Sequence, residues 1–356
     1  MKAVVSAWIG SNNLGDELIF MALLRLLDEL GISRDDVTAI TLNVKGTRET
    51  FGTRAVGHFD FLGQMQAIRQ ADVLIFGGGG LLQDETSIWN LPYHLSRVWL
   101  ARLLRKPVVA LGLGAGIIGS RLSGWLVRMT FGPSTPIAVR DEESLQVLRG
   151  IGIQHASQTA DLVLSQPIVQ HEPKGYIAVA LRPFSQKRGW LPVHMRRQSD
   201  PKDPIQIAAL LDQAARRTDL PVRFVSFDLD KDLTYHQLIA AHMSSDVSFV
   251  SPTVDHVTEV IGSANVVIGM RYHAAILAFL CGVPSILIGY SPKVQSLAKE
   301  ATQGCKVIAN DLKAFKTLPT LLEEVLNQGQ NVAIARERLH AKALENIVSL
   351  RDFLSR

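Results

Sequence analysis

Two doubly wound α/β domains in succession, with parallel sheets whose carboxyl edges face a common cleft, are predicted from three observations. Short β-branched runs that end in Gly or polar turns alternate with longer segments of helical period. The periodicity lapses over the polar, Pro-containing stretch from Ser165 to Gly175, which reads as a linker, and then resumes. The 356 residues are also about twice the size of an ordinary domain. These boundaries put a first domain at 1–168, a second at 174–330 and a closing helix at 331–356.

In the first half, strands are expected at Lys2 to Ile9, Val37 to Asn43, Val73 to Phe76, Pro107 to Leu111 and Pro136 to Arg140. Helices are expected at Asp16 to Leu30, around Gly63 to Gln70, around Tyr93 to Leu104, at Ser120 to Phe131, and at Glu142 to Gly150 with Asp141 as its cap. In Ser120 to Phe131 the residues Leu122, Trp125, Leu126 and Met129, between Arg121 and Arg128, read as a buried core face in preference to a face lying on a membrane. The second half has strands at Tyr176 to Leu181, Val222 to Phe227, Val247 to Val250, Val266 to Ile268 and Ser285 to Ile288. Its helices fall around Ile205 to Arg217, Asp232 to His242, His256 to Gly262, Tyr272 to Cys281 and Val294 to Thr302, and the chain finishes with helices near Leu318 to Leu326 and Val332 to Phe353.

Composition removes several classes. With 47% hydrophobic and 20% charged residues, the chain is neither disordered nor heptad-dominated. Its net charge of +4 is spread thinly and contains no dense basic arm, so nucleic acid is not an expected partner. Cys281 and Cys305 have no metal or disulfide spacing, which fits a reducing, cytoplasmic compartment and no structural zinc. The apolar start MKAVVSAWIG runs into Asn12, Asn13, Asp16 and Glu17 rather than a cleavage site, so it reads as a strand. The most apolar stretch, Val98 to Ile118, is cut by Arg102, Arg105, Lys106 and Pro107, so contact with a membrane would be peripheral at most.

Four junctions carry chemistry. Gly10 to Glu17 joins the first strand to the first helix, where backbone N–H groups can hold an anion or a sugar hydroxyl. It is neither G-x-G-x-x-G nor a Walker A loop, and Asp16 reads either as an N-terminal helix charge or as a base aimed into the cleft. Gly77 to Gly80, followed by Leu81-Leu82-Gln83-Asp84, reads as a turn that allows close backbone approach to a ligand. Arg140 precedes Asp141-Glu142-Glu143 and reads as paired with those acids or as an anion site. Arg271-Tyr272-His273 puts two potentially cationic groups at a sheet's carboxyl edge beside a helix N-terminus, and Lys293 offers a cation at the next such junction. The basic and aromatic stretch from Arg182 to Arg197, with Phe184, Trp190 and Met195, reads as a solvated loop, a flexible cover that carries Arg182 towards a ligand, or a surface for acidic phospholipid headgroups.

Taken in order, these motifs resemble the polysaccharide pyruvyl transferase family, and within it the CsaB-type enzymes of bacterial cell-wall polysaccharides. The resemblance rests on N-L-G-D-E (Asn13 to Glu17), G-G-G-G-L-L-Q-D (Gly77 to Asp84), V-R-D-E-E-S (Val139 to Ser144), L-R-P (Leu181 to Pro183), R-Y-H-A (Arg271 to Ala274), G-V-P (Gly282 to Pro284) and Y-S-P-K-V (Tyr290 to Val294). Tyr272 stands where the family usually has Leu, Ser291 where it has Asp, and Leu162 follows Asp161 where Pro is common.

The resemblance implies two Rossmann-like domains in a GT-B-like arrangement. It also implies phosphoenolpyruvate as co-substrate, with no metal and no organic cofactor, and as acceptor a hexose, often on a lipid-linked oligosaccharide. The expected product is a pyruvate ketal, with release of phosphate. Arg140, Arg182, Arg271 and Lys293 would hold the donor, while Asp16 and His273 would be the base and acid in either order. Asn13, Gly78, Gly79, Gly80, Gln83 and Asp84 would contact the acceptor or shape the loops around it. A glycosyltransferase using a nucleotide-sugar donor and a non-catalytic sugar- or anion-binding protein are the alternatives. Neither the acceptor sugar nor the oligomeric state is read from these motifs.

Overall fold

We describe the protein from a computed structural model covering residues 1–355 apart from 86, 184–203, 290–293, 295, 298–304, 311 and 328–331. The first sheet contains seven strands, β1 (Ala3–Ile9), β2 (Val37–Thr41), β3 (Arg54–Gly57), β4 (Val73–Leu82), β5 (Val108–Ala115), β6 (Ile137–Val139) and β7 (Ser157–Gln158), in the order β3-β2-β1-β4-β5-β6-β7. The second contains six, β8 (Ile177–Ala180), β9 (Val222–Val225), β10 (Val247–Val250), β11 (Val266–Gly269), β12 (Ser285–Gly289) and β13 (Cys305–Ala309), in the order β10-β9-β8-β11-β12-β13. All pairings within both sheets are parallel. This is the doubly wound pair expected from the alternation of strand and helix signals.

Strand order reverses between β1 and β4 in one sheet and between β8 and β11 in the other. At such reversals the following helices diverge to opposite faces and leave a crevice outside the carboxyl ends of the strands. Helix α1 (Leu14–Glu29) follows β1 and buries Leu18, Ile19, Leu23 and Leu26 against the first sheet. Helices α2 (Val44–Phe51), α3 (Phe61–Gln70), α4 (Asn90–Leu103), α5 (Arg121–Thr130) and α6 (Glu142–Gly150) complete that layer pair. In the second domain α7 (Pro204–Thr218), α8 (Asp232–Ala240), α9 (Val257–Gly262) and α10 (Tyr272–Cys281) play the same part.

One hydrophobic cluster runs through both domains, from α1 through Leu162–Leu164 and α10 to the C-terminal helix Val332–Leu354. That last helix returns to the first domain. Buried Asn346 accepts a hydrogen bond from Thr159 Oγ1 at 3.0 Å and donates to Ala160 O at 3.1 Å, while His340 Nδ1 lies 2.7 Å from Leu164 O.

The fold departs from the sequence expectations in three respects. The glycine run is not a turn, because β4 continues through it to Leu82 and pairs Gly77 with Leu111 and Gly79 with Leu113. A glycine is required there by contact with α1: Gly78 has φ of +78°, and a Cβ on it would lie 2.0 Å from Ile19 Cγ2. Helix α5 buries Ser123, Gly124, Val127 and Thr130, leaving Leu122, Trp125 and Met129 exposed; of the expected core face only Leu126 packs against the core, half-buried. Bulky apolar residues at i, i+3 and i+7 mark a face but do not say what covers it. The elements α2, β3, β7, β13 and Leu312–Phe315 are absent from the sequence expectation, being runs of eight residues or fewer over which little period can be read. The helix expected at Val294 to Thr302, and Lys293, lie outside the described residues or mostly so. Among the described residues no helix is long and apolar enough to cross a membrane.

Candidate active site

The carboxyl edges of both sheets meet in a crevice lined by Asn13, Asp16, Gly79, Gly80 and Arg140 from the first domain and by Arg182, Phe227, Arg271, Tyr272 and His273 from the second. Each follows a strand or ends one: β1, β4 and β6 on one side, β8, β9 and β11 on the other. Residues separated by more than 250 positions are therefore brought together by two strand-order reversals, as the doubly wound topology requires.

The N-terminus of α1 docks against the second domain. Asn13 caps the helix, its Oδ1 accepting from Gly15 N at 3.2 Å and its Nδ2 donating to Asp16 Oδ2 at 2.6 Å. The next backbone amide, Leu14 N, donates to Phe227 O at 2.7 Å, and Asn13 forms an antiparallel bridge with Asp228. Asp16 is thereby held in one orientation at the crevice. Its neighbour Glu17 turns away: it accepts from Gly10 N at 2.7 Å, and burial pushes its pKa up despite the Gly10 and Ser11 amides, which act to lower it.

Gly15 makes room for the second domain. An added Cβ would lie 2.1 Å from His273 Nδ1, so the ring of His273 occupies the space a side chain would take. On its other side His273 Nε2 lies 3.7 Å from Asp161 Oδ2, an ion-pair separation. Asp161 is fully buried and also accepts from Val163 N at 3.1 Å and from Arg140 Nη1 at 3.2 Å. Burial alone would raise the pKa of this carboxyl, but His273, Arg140 and the Val163 amide outweigh it and hold it at about 2. Asp161 is therefore a fixed negative charge behind the imidazole.

Arg140 joins the same cluster. Its Nε donates to Asp141 Oδ2 at 3.2 Å, and its guanidinium lies 4.5 Å from the centre of the Tyr272 ring. Burial opposes its charge, while Tyr272, Asp161 and Asp141 more than offset that and raise its pKa above the ordinary arginine value. Asp141 additionally caps α6 by accepting from Ser144 N at 2.7 Å. Pairing with an adjacent acid and facing the crevice are thus both properties of Arg140.

Arg271 is gripped by two carboxylates of the second domain. Nε donates to Asp232 Oδ2 at 2.8 Å, Nη2 pairs with Asp232 Oδ1, and Asp228 Oδ2 lies 3.6 Å from Nη2. Asp232 in turn accepts from the Phe227 and Asp228 amides at 3.1 and 3.0 Å. This bidentate fork fixes the plane of the guanidinium. Behind it, His236 Nε2 lies 2.9 Å from Leu181 O and supports the L-R-P strand end that carries Arg182. Burial, with a smaller contribution from Arg271, lowers His236 to about 4 against the raising effects of Asp232 and Leu181 O.

Of the residues singled out in the sequence, Asn13, Asp16, Gly79, Gly80, Arg140, Arg182, Arg271 and His273 line this crevice. Gly78 packs under α1, and Gln83 and Asp84 lie away from the lining: Asn90 donates to Gln83 O at 2.8 Å, and Asp84 accepts from the Gly119 and Ser120 amides at 2.8 and 3.2 Å. Asp161, Asp228 and Asp232 were not among the expected site residues. Asp161 stands in a family motif position, which was a usable signal, whereas nothing in the sequence ties Asp232 to Arg271. Among the described residues no group of three or more His, Cys, Asp or Glu is arranged to hold a metal ion.

Solved structures share the architecture. Anabaena HepE, determined in complex with UDP-glucose, superposes with a TM-score of 0.60 at 12% identity, covering 100% of this chain and 98% of that one. A putative UDP-N-acetylglucosamine 2-epimerase from Listeria monocytogenes gives 0.63 at 10% identity over 100% and 97% of the two chains, and MurG from Acinetobacter baumannii gives 0.55 at 11% over 99% and 100%. At such identities the likeness establishes the GT-B-like fold. No curated protein matches the chain at the sequence level. A sequence profile of the polysaccharide pyruvyl transferase family, however, matches residues 13–292, a span containing every residue that lines the crevice, and the chain therefore belongs to that family.

Proposed function

We propose that the protein transfers the pyruvyl group of phosphoenolpyruvate to two hydroxyls of a hexose on a lipid-linked, CsaB-type cell-wall or exopolysaccharide precursor, forming a ketal and releasing phosphate. The observation that carries this reading is the meeting, in one interdomain crevice, of an acid–base pair from opposite domains with three arginines. The donor bears a carboxylate and a phosphate, which Arg140, Arg182 and Arg271 are suited to receive. Lys293 is a fourth donor ligand in this proposal.

The reaction needs a proton on the enol carbon and a base for a sugar hydroxyl. His273, as imidazolium, protonates the methylene carbon, and the electron pair of the double bond forms the new C–H bond. Positive charge then develops at the adjacent carbon, where Asp161 supports the imidazolium beforehand and Asp16 removes the proton of the attacking hydroxyl. Phosphate leaves with the C–O bonding electrons. Addition of the second hydroxyl closes the ketal and returns its proton to solvent or phosphate. The roles divide because Nε2 of His273 faces a buried carboxylate while Asp16 is held by Asn13 at the helix N-terminus.

Incubation with phosphoenolpyruvate and a panel of lipid-linked or aryl hexosides tests the proposal. The expected result is phosphate release with a product heavier by one pyruvyl ketal in mass spectrometry. Turnover with nucleotide sugars and none with phosphoenolpyruvate would replace the reading by glycosyl transfer.

A further inference from the structure

Helix α5 presents to solvent the side chains that a soluble helix ordinarily buries. Leu122, Trp125 and Met129 are 65, 55 and 58% exposed and lie on one face at i, i+3 and i+7, while Ser123, Gly124, Val127 and Thr130 turn inward. Exposed Ile117 lies just ahead of the helix, and Trp89, 71% exposed, precedes α4, which packs beside it. Trp99 of α4 donates from Nε1 to Thr130 Oγ1 at 2.7 Å, and Arg102 Nη1 donates to Met129 O at 3.1 Å, so the two helices form one surface.

The charge along α5 itself is of one sign, with the exposed acid Glu85 at its border beside Gly116. Between Glu85 and Asp141 the sequence has no Asp or Glu, while Arg97, Arg102, Arg105, Lys106, Arg121, Arg128 and Arg140 fall in that interval. Arg97 and Arg140 are buried, but Arg121 and Arg128 are exposed and flank Trp125 along a groove that also includes Ser120 and Ile151. Asp84, just before that interval, is engaged by the Gly119 and Ser120 amides at the start of α5.

We infer that the exposed face of α5, with the adjoining end of α4, docks on an anionic lipid bilayer surface. Tryptophan and leucine side chains favour the interfacial region of a bilayer, and arginines beside them are attracted by anionic headgroups. Charge decides against a second copy as the occupant: a two-fold contact would set Arg121 and Arg128 against their own equivalents, and α5 itself carries no acid to compensate. The placement also connects to the crevice. Asp84, which anchors the start of α5, follows the strand that supplies Gly79 and Gly80, so a docked α5 sets the crevice beside the lipid surface. The inference does not depend on the reaction proposed above, and its test requires no turnover.

Flotation of the full chain with vesicles of phosphatidylglycerol mixed with phosphatidylcholine, against vesicles of phosphatidylcholine alone, reads this directly. The chain is expected to float with the anionic vesicles, to be released by salt, and to show quenching of tryptophan fluorescence by brominated lipid that is reduced in Trp125→Phe. L122S/W125S and R121E/R128E should each lower binding about tenfold or more with unchanged circular dichroism; should the first pair reduce helix content, the arginine pair decides. Equal binding to both vesicle types, variants that bind as the wild type does, or a solution dimer dissociated by L122S/W125S would each overturn the inference.

Discussion

Gly15 of the first domain and His273 of the second meet where a side chain is missing: the imidazole Nδ1 stands 2.1 Å from the position a Cβ on Gly15 would take. A glycine inside the N-L-G-D-E motif is thus explained by the other half of the molecule. Gly15→Ala must push the ring away from the crevice or part the domains. We expect activity to fall by about 10²-fold or more, since a misplacement of roughly 1 Å has that effect, and a stability loss of about 1–3 kcal/mol from overpacking. Measured kcat and thermal midpoint check both, and an unchanged kcat would remove His273 from the chemistry.

The pH–rate profile should be a bell. If His273 delivers a proton as imidazolium, activity falls as pH rises and that proton is lost; if Asp16 is the base, activity falls as pH drops and the carboxylate is protonated. His273→Gln should flatten the alkaline limb and abolish solvent-deuterium incorporation into the pyruvyl methyl, while Asp16→Asn should flatten the acid limb. Both limbs belong to the coupled site rather than to either residue alone. Wild-type deuterium incorporation in the His273 variant would move the acid elsewhere.

Acid should unfold this protein in stages. His58, His94 and His236 are lowered chiefly by burial to about 4, 3 and 4 in the folded state, whereas an unfolded histidine titrates near 6.5. Below about pH 6.5 the unfolded chain binds more protons, so stability falls as pH decreases through that window. Asp161, held at about 2 against an unfolded value of about 3.9, adds stability that is present above roughly pH 5 and is lost as pH falls toward 2. Denaturant unfolding across pH should show His94→Gln with a shallower slope between about 6.5 and about 3, and Asp161→Asn with a shallower slope below about 5.

Arg271→Lys should weaken binding of phosphoenolpyruvate by roughly 10-fold or more, because one ammonium cannot span both Asp232 oxygens and still present a planar fork to the donor. Asp232→Asn should produce the same defect by releasing that fork. Calorimetry with the donor reads both, and unaltered affinity in the lysine variant would show that Arg271 does not touch it.

Treatment with EDTA should leave turnover unchanged, as every step proposed runs through His273, Asp16 and cationic side chains. Turnover lost in the chelator and restored by one divalent ion would contradict that mechanism.

The two doubly wound domains were legible in the sequence, because short β-branched runs and longer apolar helical runs are written locally: the edge strand Val247–Val250 and the almost wholly buried helix Tyr272–Cys281 both coincide with the expected elements. The sequence also identified most crevice residues, since Asn13, Asp16, Arg140, Arg271 and His273 sit in motifs at strand ends, where this topology places ligands. Tertiary structure alone decided the partners. Asp161 behind His273, Asp232 on Arg271 and the vacant side of Gly15 are contacts across long stretches of chain, and no local period records them. The same holds for burial: glycines that read as a turn continue a strand, with Ile19 packed on Gly78, and Leu122, Trp125 and Met129 read as core although more than half of each stays exposed. Periodicity specifies which face of an element is apolar; only the packing of distant elements specifies what that face meets.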